Sequence, residues 1–202
     1  MDYSILDKFE RVLSEYTGAP HVVLTDSCTH AIELCLRFKK WTGPIILPNQ
    51  TYISVPMTVH KLGLELYWDE WASEWQYEYR IAPTNIWDSA RAFDENMFVS
   101  GRMQCLSFGW DKRLNIGHGG AILLDNKSDH GVLKQMAYDG RQLWSKTPWD
   151  QQKHWQLGFH YNMRLEDAQR GLELMLNPTD NLPNLKSQLK TYPDCSKIKI
   201  DL

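Results

Sequence analysis

CLSFGWDKRLNIGHGGAILL, from Cys105 to Leu124, decides how the rest of the chain is read. Two apolar runs, CLSF and AILL, flank a polar centre that ends in Gly117, Gly119 and Gly120. Bulky apolar residues bounded by glycines predict two short strands with a tight loop between them. The loop carries Lys112. A lysine held between buried strands is partly desolvated, which disfavours the ammonium and makes the amine a usable nucleophile near neutral pH. A Schiff-base lysine needs this environment. The same pattern also suits a surface lysine in a Gly-rich hairpin, so the remaining segments have to decide.

Composition narrows the field. The 202 residues are 43% hydrophobic, enough for a sizeable core and against disorder. The formal net charge is −3 without a basic block, which argues against nucleic acid as a partner. The N-terminal MDYSILDKFERVL is charged and amphipathic, unlike a signal peptide. No apolar run approaches the roughly 18 residues of a membrane span. Cys28, Cys35, Cys105 and Cys195 show no CxxC spacing and read as reduced, mostly buried thiols of a cytoplasmic protein. The aromatic residues between Tyr67 and Tyr79 are expected in packing or at a subunit contact. His154 and His160 lack neighbouring ligands and give no metal reading.

Working outward, Ile5 to Tyr16 form one helical stripe, with Ser4 as the expected cap and Gly18 as the stop. HVVLT (21–25) reads as a strand running into Asp26-Ser27-Cys28-Thr29 and then an apolar-periodic helix. Small hydroxyl residues at that junction cap the helix, or present its first amides to an anion. PIILP (44–48) is a strand followed by Thr51-Tyr52. A helix follows from Val55 to Leu62. Leu64–Asp69 and Thr84–Asp88 are further strands, with an irregular stretch over 70–80. Helices are expected over 129–138 and 165–176, the latter ended by Asn177-Pro178. Strands alternating with helices predict an α/β fold, a mainly parallel sheet with helices on both faces. Ligands of such sheets sit beyond the strands' carboxyl ends, where Thr29, Tyr52 and Asp88 all fall. One domain is expected over 1–178, with 179–202 a short C-terminal remnant, polar and Pro-broken, that carries one short helical run near Leu185 to Leu189.

These pieces suit pyridoxal 5'-phosphate. That cofactor needs an amine for its aldehyde, a carboxylate at its pyridine nitrogen, a flat side chain over its ring and donors for its phosphate. Lys112, Asp88, Tyr52 and Ser27/Cys28/Thr29 match those needs. Each residue also has a plainer reading: Asp88 as a helix cap, Tyr52 as core, Ser107 as a strand hydroxyl, His118 as an incidental loop histidine.

The motif order resembles the DegT/DnrJ-type sugar aminotransferases, a branch of the fold-type-I pyridoxal-phosphate enzymes. The family's SGTxAL is matched by Ser27-Cys28-Thr29-His30-Ala31-Ile32. Its PxxTY is matched by residues 48–52 and its DAAQ by Asp88-Ser89-Ala90-Arg91. Its SFxxxK…GxGG is matched by Ser107-Phe108, Lys112, Gly117, Gly119 and Gly120, and its GFNYRM by residues 158–163. The resemblance implies the large domain of that fold in truncated form. It implies Lys112 as the Schiff-base lysine and Asp88 as the partner of the pyridine nitrogen. It further implies Tyr52 over the ring, Ser107 with the amides around Cys28 and Thr29 on the phosphate, and His160 reaching a neighbouring subunit's cofactor in a homodimer with shared active sites. The implied reaction moves an amino group from glutamate or glutamine, through pyridoxamine 5'-phosphate, to a keto group on a nucleotide-linked sugar. A cofactor-binding regulatory protein with little turnover is the rival; a sugar dehydratase is disfavoured because Lys112 is present. Arg91 stands where the family has glutamine, and is expected to donate to the ring oxygen or pair with an acid elsewhere. Asn162 and Asp167 also depart from the family pattern, and most of the family's C-terminal domain has no counterpart.

Overall fold

The computed structural model describes residues 3–69, 76–143, 145–176, 182–183 and 185–199. Its main sheet has the order β1-β7-β6-β5-β4, built from β1 (His21–Thr25), β4 (Tyr79–Ile81), β5 (Ile86–Asp88), β6 (Met103–Ser107) and β7 (Gly120–Leu124). A parallel pair, β2 (Ile45–Pro48) and β3 (Leu66–Asp69), joins β4 through reciprocal bonds between Ile46 and Ala82 of 2.8 and 3.1 Å. The expectation of a mainly parallel sheet holds for strand direction: β1, β2, β3, β5 and β6 run one way. The pairing is mixed, because β7 and β4 run the other way between them. β4 was not expected; it lies at the end of the stretch read as irregular, and residues 70–75 of that stretch lie outside the described residues.

Helices cover both faces. Alternate strand residues point to opposite sides, so Val23, Cys105, Ile122 and Leu124 pack beneath α2 (Cys28–Phe38), α3 (Ser54–Lys61) and α4 (Lys127–Ala137). Val22, Leu24, Leu106, Ala121 and Leu123 pack beneath α1 (Ser4–Thr17) and α5 (Leu165–Leu176). Ser4 does not cap α1: Tyr3 holds the cap position without a side-chain bond, and Ser4 is already helical. Gly18 does end it, at φ 76°. Pro56 sits in the first turn of α3, where its missing N–H costs nothing. All four cysteines are free and buried. Trp68 packs against the core and Tyr79 is buried within it, while Trp71 and Trp75 lie outside the described residues, as do Asn177 and Pro178. Among the described residues no helix is long and apolar enough to cross a membrane.

The expected tight loop between β6 and β7 is instead a long loop closed on itself. Phe108 donates to the Gly119 carbonyl at 3.0 Å and accepts from Ile116 and Gly117 at 3.1 and 2.9 Å. Phe108, Leu114 and Ile116 are buried beneath it. Lys112 rides on this closed loop.

The short helical run expected near Leu185 to Leu189 is present in the C-terminal stretch. Leu185–Gln188 forms a 3-10 turn, Cys195 donates its backbone N–H to the Asn49 carbonyl at 2.7 Å, and Tyr192 and Cys195 are buried. This segment lies beside the carboxyl end of β2, next to the cavity described below.

Candidate active site

A cavity of about 490 Å³ opens beyond the carboxyl ends of β1, β2, β5 and β6. Ser27, Cys28, Thr29, Tyr52, Asp88, Arg91, Ser107 and Lys112 all line it. Sheet topology thus gathers eight residues spread over a long stretch of sequence. His160 is not among them. Its imidazole is 79% exposed and lies 3.2 Å from the Asp139 carboxylate, at the surface of the chain.

Asp88 closes β5 and is buried. Its carboxylate accepts the Ala90 N–H at 3.0 Å and the Tyr79 hydroxyl at 2.8 Å. The Thr51 hydroxyl is in turn 2.5 Å from that of Tyr79. The Ala90 bond closes a turn after β5, and no helix begins there, so the plainer reading of Asp88 as a helix cap is set aside. Burial raises the carboxyl above its usual range, while its hydrogen bonds and the charges of Lys112 and Arg91 pull the other way. The Cys28 thiol sits 3.9 Å away, pushed well up by burial and by the Asp88 charge, and so neutral. A buried carboxylate of this kind gains from a cationic N–H placed against it.

Lys112 is 12% exposed. Burial lowers its amine below the usual lysine range, and the Arg91 charge adds to this against the pull of Asp111. Its ammonium lies 3.7 Å from Asp111, too far for a hydrogen bond. The surface-lysine reading is therefore set aside.

At the start of α2, Ser27 is the cap, its Oγ accepting the His30 N–H at 3.2 Å. Cys28 and Thr29 open the helix, whose first-turn N–H groups have no carbonyl within the helix to bond. The Thr29 hydroxyl is 2.7 Å from that of Ser54. Capping and an anion cradle are thus both available at this junction. Gly120 makes the approach of β7 possible: a Cβ there would lie 2.5 Å from Ser27 C and Cys28 N. Gly120→Ala is expected to cost about 3 kcal/mol or more of stability, because the obstructing atoms are backbone. Chemical denaturation reads this directly; a loss below about 1 kcal/mol refutes the close approach.

Tyr52 is 58% exposed at the cavity mouth, not core, with its ring edge-on to Tyr192 at 6.3 Å. Arg91 is buried and committed: Nε donates to the Tyr192 hydroxyl at 2.8 Å, Nη1 to the Gln188 carbonyl at 3.3 Å, and Nη2 to Asp111 at 2.5 Å. Of its two expected roles, the structure takes the pairing with an acid. His118 lines the cavity with its imidazole 3.8 Å from Asp167.

Sequence reasoning missed Asp26, Thr51, Tyr79, Ala90, Asp111, Lys190 and Tyr192. Ala90 and Asp111 sat inside quoted motifs. Lys190 and Tyr192 carried no local signal, because only the fold brings residues 185–199 back to β2 and the Lys112 loop.

The donor set fits pyridoxal phosphate. A desolvated amine and a buried carboxylate share one cavity, Ala90 lines its wall, and a helix start with hydroxyl residues borders it. Residues 1–74 match the model of the DegT/DnrJ/EryC1/StrS aminotransferase family. No curated protein matches the chain by sequence. Among solved structures, DesI, crystallised in the presence of its TDP-sugar product, is similar over 88% of this chain and 54% of its own, with TM-score 0.67 and 18% identity. NtdA from Bacillus subtilis, with bound cofactor PMP, is similar over 85% and 47%, at 0.65 and 21%. An aminotransferase from Psychrobacter cryohalolentis is similar over 86% and 56%, at 0.66 and 14%. The chain spans about half the length of these proteins. Residues 1–74 are thus similar to the DegT/DnrJ/EryC1/StrS aminotransferase family, and the fold of the chain is shared with these solved structures over about half of their length.

Proposed function

We propose that this cavity binds pyridoxal phosphate and that the protein is an aminotransferase, moving nitrogen from glutamate or glutamine to a keto group on a nucleotide-linked sugar. The observation that carries the reading is the sharing of one cavity by Lys112 and Asp88, the amine eased toward neutrality and the carboxylate buried. When bound, the cofactor supplies an aldehyde and an electron-accepting ring, and its pyridoxamine form stores the amino group.

The chain's own residues do the rest. Lys112 offers a neutral amine and takes or gives a proton at Nζ, as general base and then acid. Asp88 holds a proton at the ring nitrogen. Tyr52 provides flat cover. Thr29, Ser107 and the first amides of α2 receive the phosphate. Four free buried thiols support a reducing compartment, the cytoplasm.

A homodimer with shared sites completes the proposal. Tyr52 and Trp110 are exposed at the cavity mouth, at 58% and 73%, and a second copy is the surface that excludes water there. His160, exposed on this chain, is the residue proposed to reach the partner's site.

A second reading, a cofactor-binding protein with little turnover, draws on the commitment of Arg91 to Tyr192, Gln188 and Asp111. One spectrum separates the two. Purified protein with added pyridoxal phosphate is expected to show a visible band that borohydride fixes to Lys112, and glutamate is expected to shift it toward the pyridoxamine form. A fixed band that ignores both amino donors favours the second reading. No band at all refutes both.

A further inference from the structure

Asp111 precedes Lys112 in sequence, and a carboxylate that close would ordinarily pair with the amine and hold it protonated. Here it does not. Asp111 Oδ2 accepts from Arg91 at 2.5 Å and from Lys190 at 3.1 Å, while Lys112 is left 3.7 Å from Oδ1. Arg91 is itself seated by residues far along the chain. Its Nε meets the Tyr192 hydroxyl, its Nη1 meets the Gln188 carbonyl, and its guanidinium lies 5.6 Å from the Tyr192 ring centre. The Lys190 ammonium lies 5.5 Å from the same ring. Residues 185–199 are docked independently, through the Cys195 N–H on the Asn49 carbonyl and the Cys195 thiol 3.2 Å from the Thr51 carbonyl.

We propose that the 185–199 segment is a working part of the site: Tyr192 and Gln188 seat Arg91 so that it and Lys190 take up Asp111, leaving the Lys112 amine outside hydrogen-bond reach of its neighbour's carboxylate and free to react. Arg91 and Lys190 are positioning residues; they act on Lys112 through Asp111.

The surrounding charges agree. Lys112 faces Arg91, Asp111, Cys28 and Asp88. The Cys28 thiol is neutral. Burial works against ionisation of Asp111, yet the Lys112, Arg91 and Lys190 charges hold its carboxyl at about 2, so it stays ionised at any working pH. The contest for Lys112 is therefore between a cation, Arg91, and two carboxyl groups, Asp111 and Asp88, and the position of Asp111 decides how much of its charge the amine feels.

This inference rests on Lys112 being the reacting amine, but its test needs no cofactor, so it can fail while cofactor binding succeeds, or the reverse. The full chain, without pyridoxal phosphate, is acetylated with N-acetoxysuccinimide across a pH series. Labelling of Lys112 is read by peptide mass spectrometry against Lys61, which is held by Glu33 and lines no part of the cavity. Lys190→Met is expected to raise the Lys112 labelling midpoint and slow its labelling about threefold near neutral pH, the scale of a half-exposed ion pair. Arg91→Gln is expected to slow it about tenfold or more, since repulsion is lost and Asp111 is released together. In an Asp111→Asn background the Lys190→Met effect is expected to shrink by at least half. Unchanged labelling in Lys190→Met, or an effect that the Asp111→Asn change does not halve, overturns the proposal. Lys190 is at the surface, so its variant decides the matter if Arg91→Gln does not fold.

Discussion

Lys112→Ala is expected to lower amino-group transfer by about 10³-fold or more, the range lost when a positioned acid–base group is removed. The same change should abolish the borohydride-fixable band while leaving the fold intact. Among the described residues the Lys112 ammonium makes a loose ion pair with Asp111 at 3.7 Å, without a hydrogen bond, so its loss should cost little stability. The pH profile gives a second check. Burial and the Arg91 charge lower this amine, so the fraction of free base rises with pH through a midpoint below the usual lysine value near 10.5. Activity that depends on the free base should follow that limb. Lys112→Arg keeps a cation but offers no neutral amine at any accessible pH, and is expected to fail as fully as alanine. A Lys112→Ala protein that transfers amino groups within about tenfold of the unaltered chain would leave the site without its central group.

The largest expected effect on stability lies away from the site. Lys134 on α4 reaches past the edge strand β1 to α1, placing its ammonium 2.6 Å from Glu10 and 2.7 Å from Asp7. Glu10 is buried, and burial pushes its carboxyl up to about 7 against the opposing charge of Lys134. Lys134→Met removes that charge and keeps the stem's length. Breaking a buried pair from one side costs about 3–5 kcal/mol, and here the cost depends on pH. The folded carboxyl then titrates above about 7, whereas the unfolded one titrates near 4.5. Folded protein therefore holds a proton that unfolded protein releases, and stability falls as pH rises between those values. The deficit should be largest near pH 8 and small near about pH 5. Urea unfolding at the two pH values measures it; equal deficits would mean that the ammonium contributes packing and not charge.

Much of this molecule could be read along the chain. β1 was predicted residue for residue, α5 likewise, and the two strands around Lys112 to within two residues, because each buries a face whose period survives in a short window. β4 escaped because Tyr79–Ile81 is short and borrows its order from β5 and from the Ile46–Ala82 bonds. The cap of α1 escaped because a serine able to cap can equally begin the helix.

The site divides in the same way. Asp88, Ser107 and residues 27–29 stand at a strand end or helix start, Tyr52, Arg91 and Lys112 in the loops beyond, and their motif order marked them as candidates for one cavity. Local pattern also set which faces of the strands are apolar, and hence that helices must cover both. The partners of Arg91 were decided only by folding. Its contacts with Gln188 and Tyr192 span a separation of about a hundred residues, and no periodicity links them. Tertiary structure likewise chose where Asp111 turns and how far Lys112 is dried, since charge and burial depend on what packs around a group from elsewhere in the chain, whereas periodicity depends only on what lies beside it.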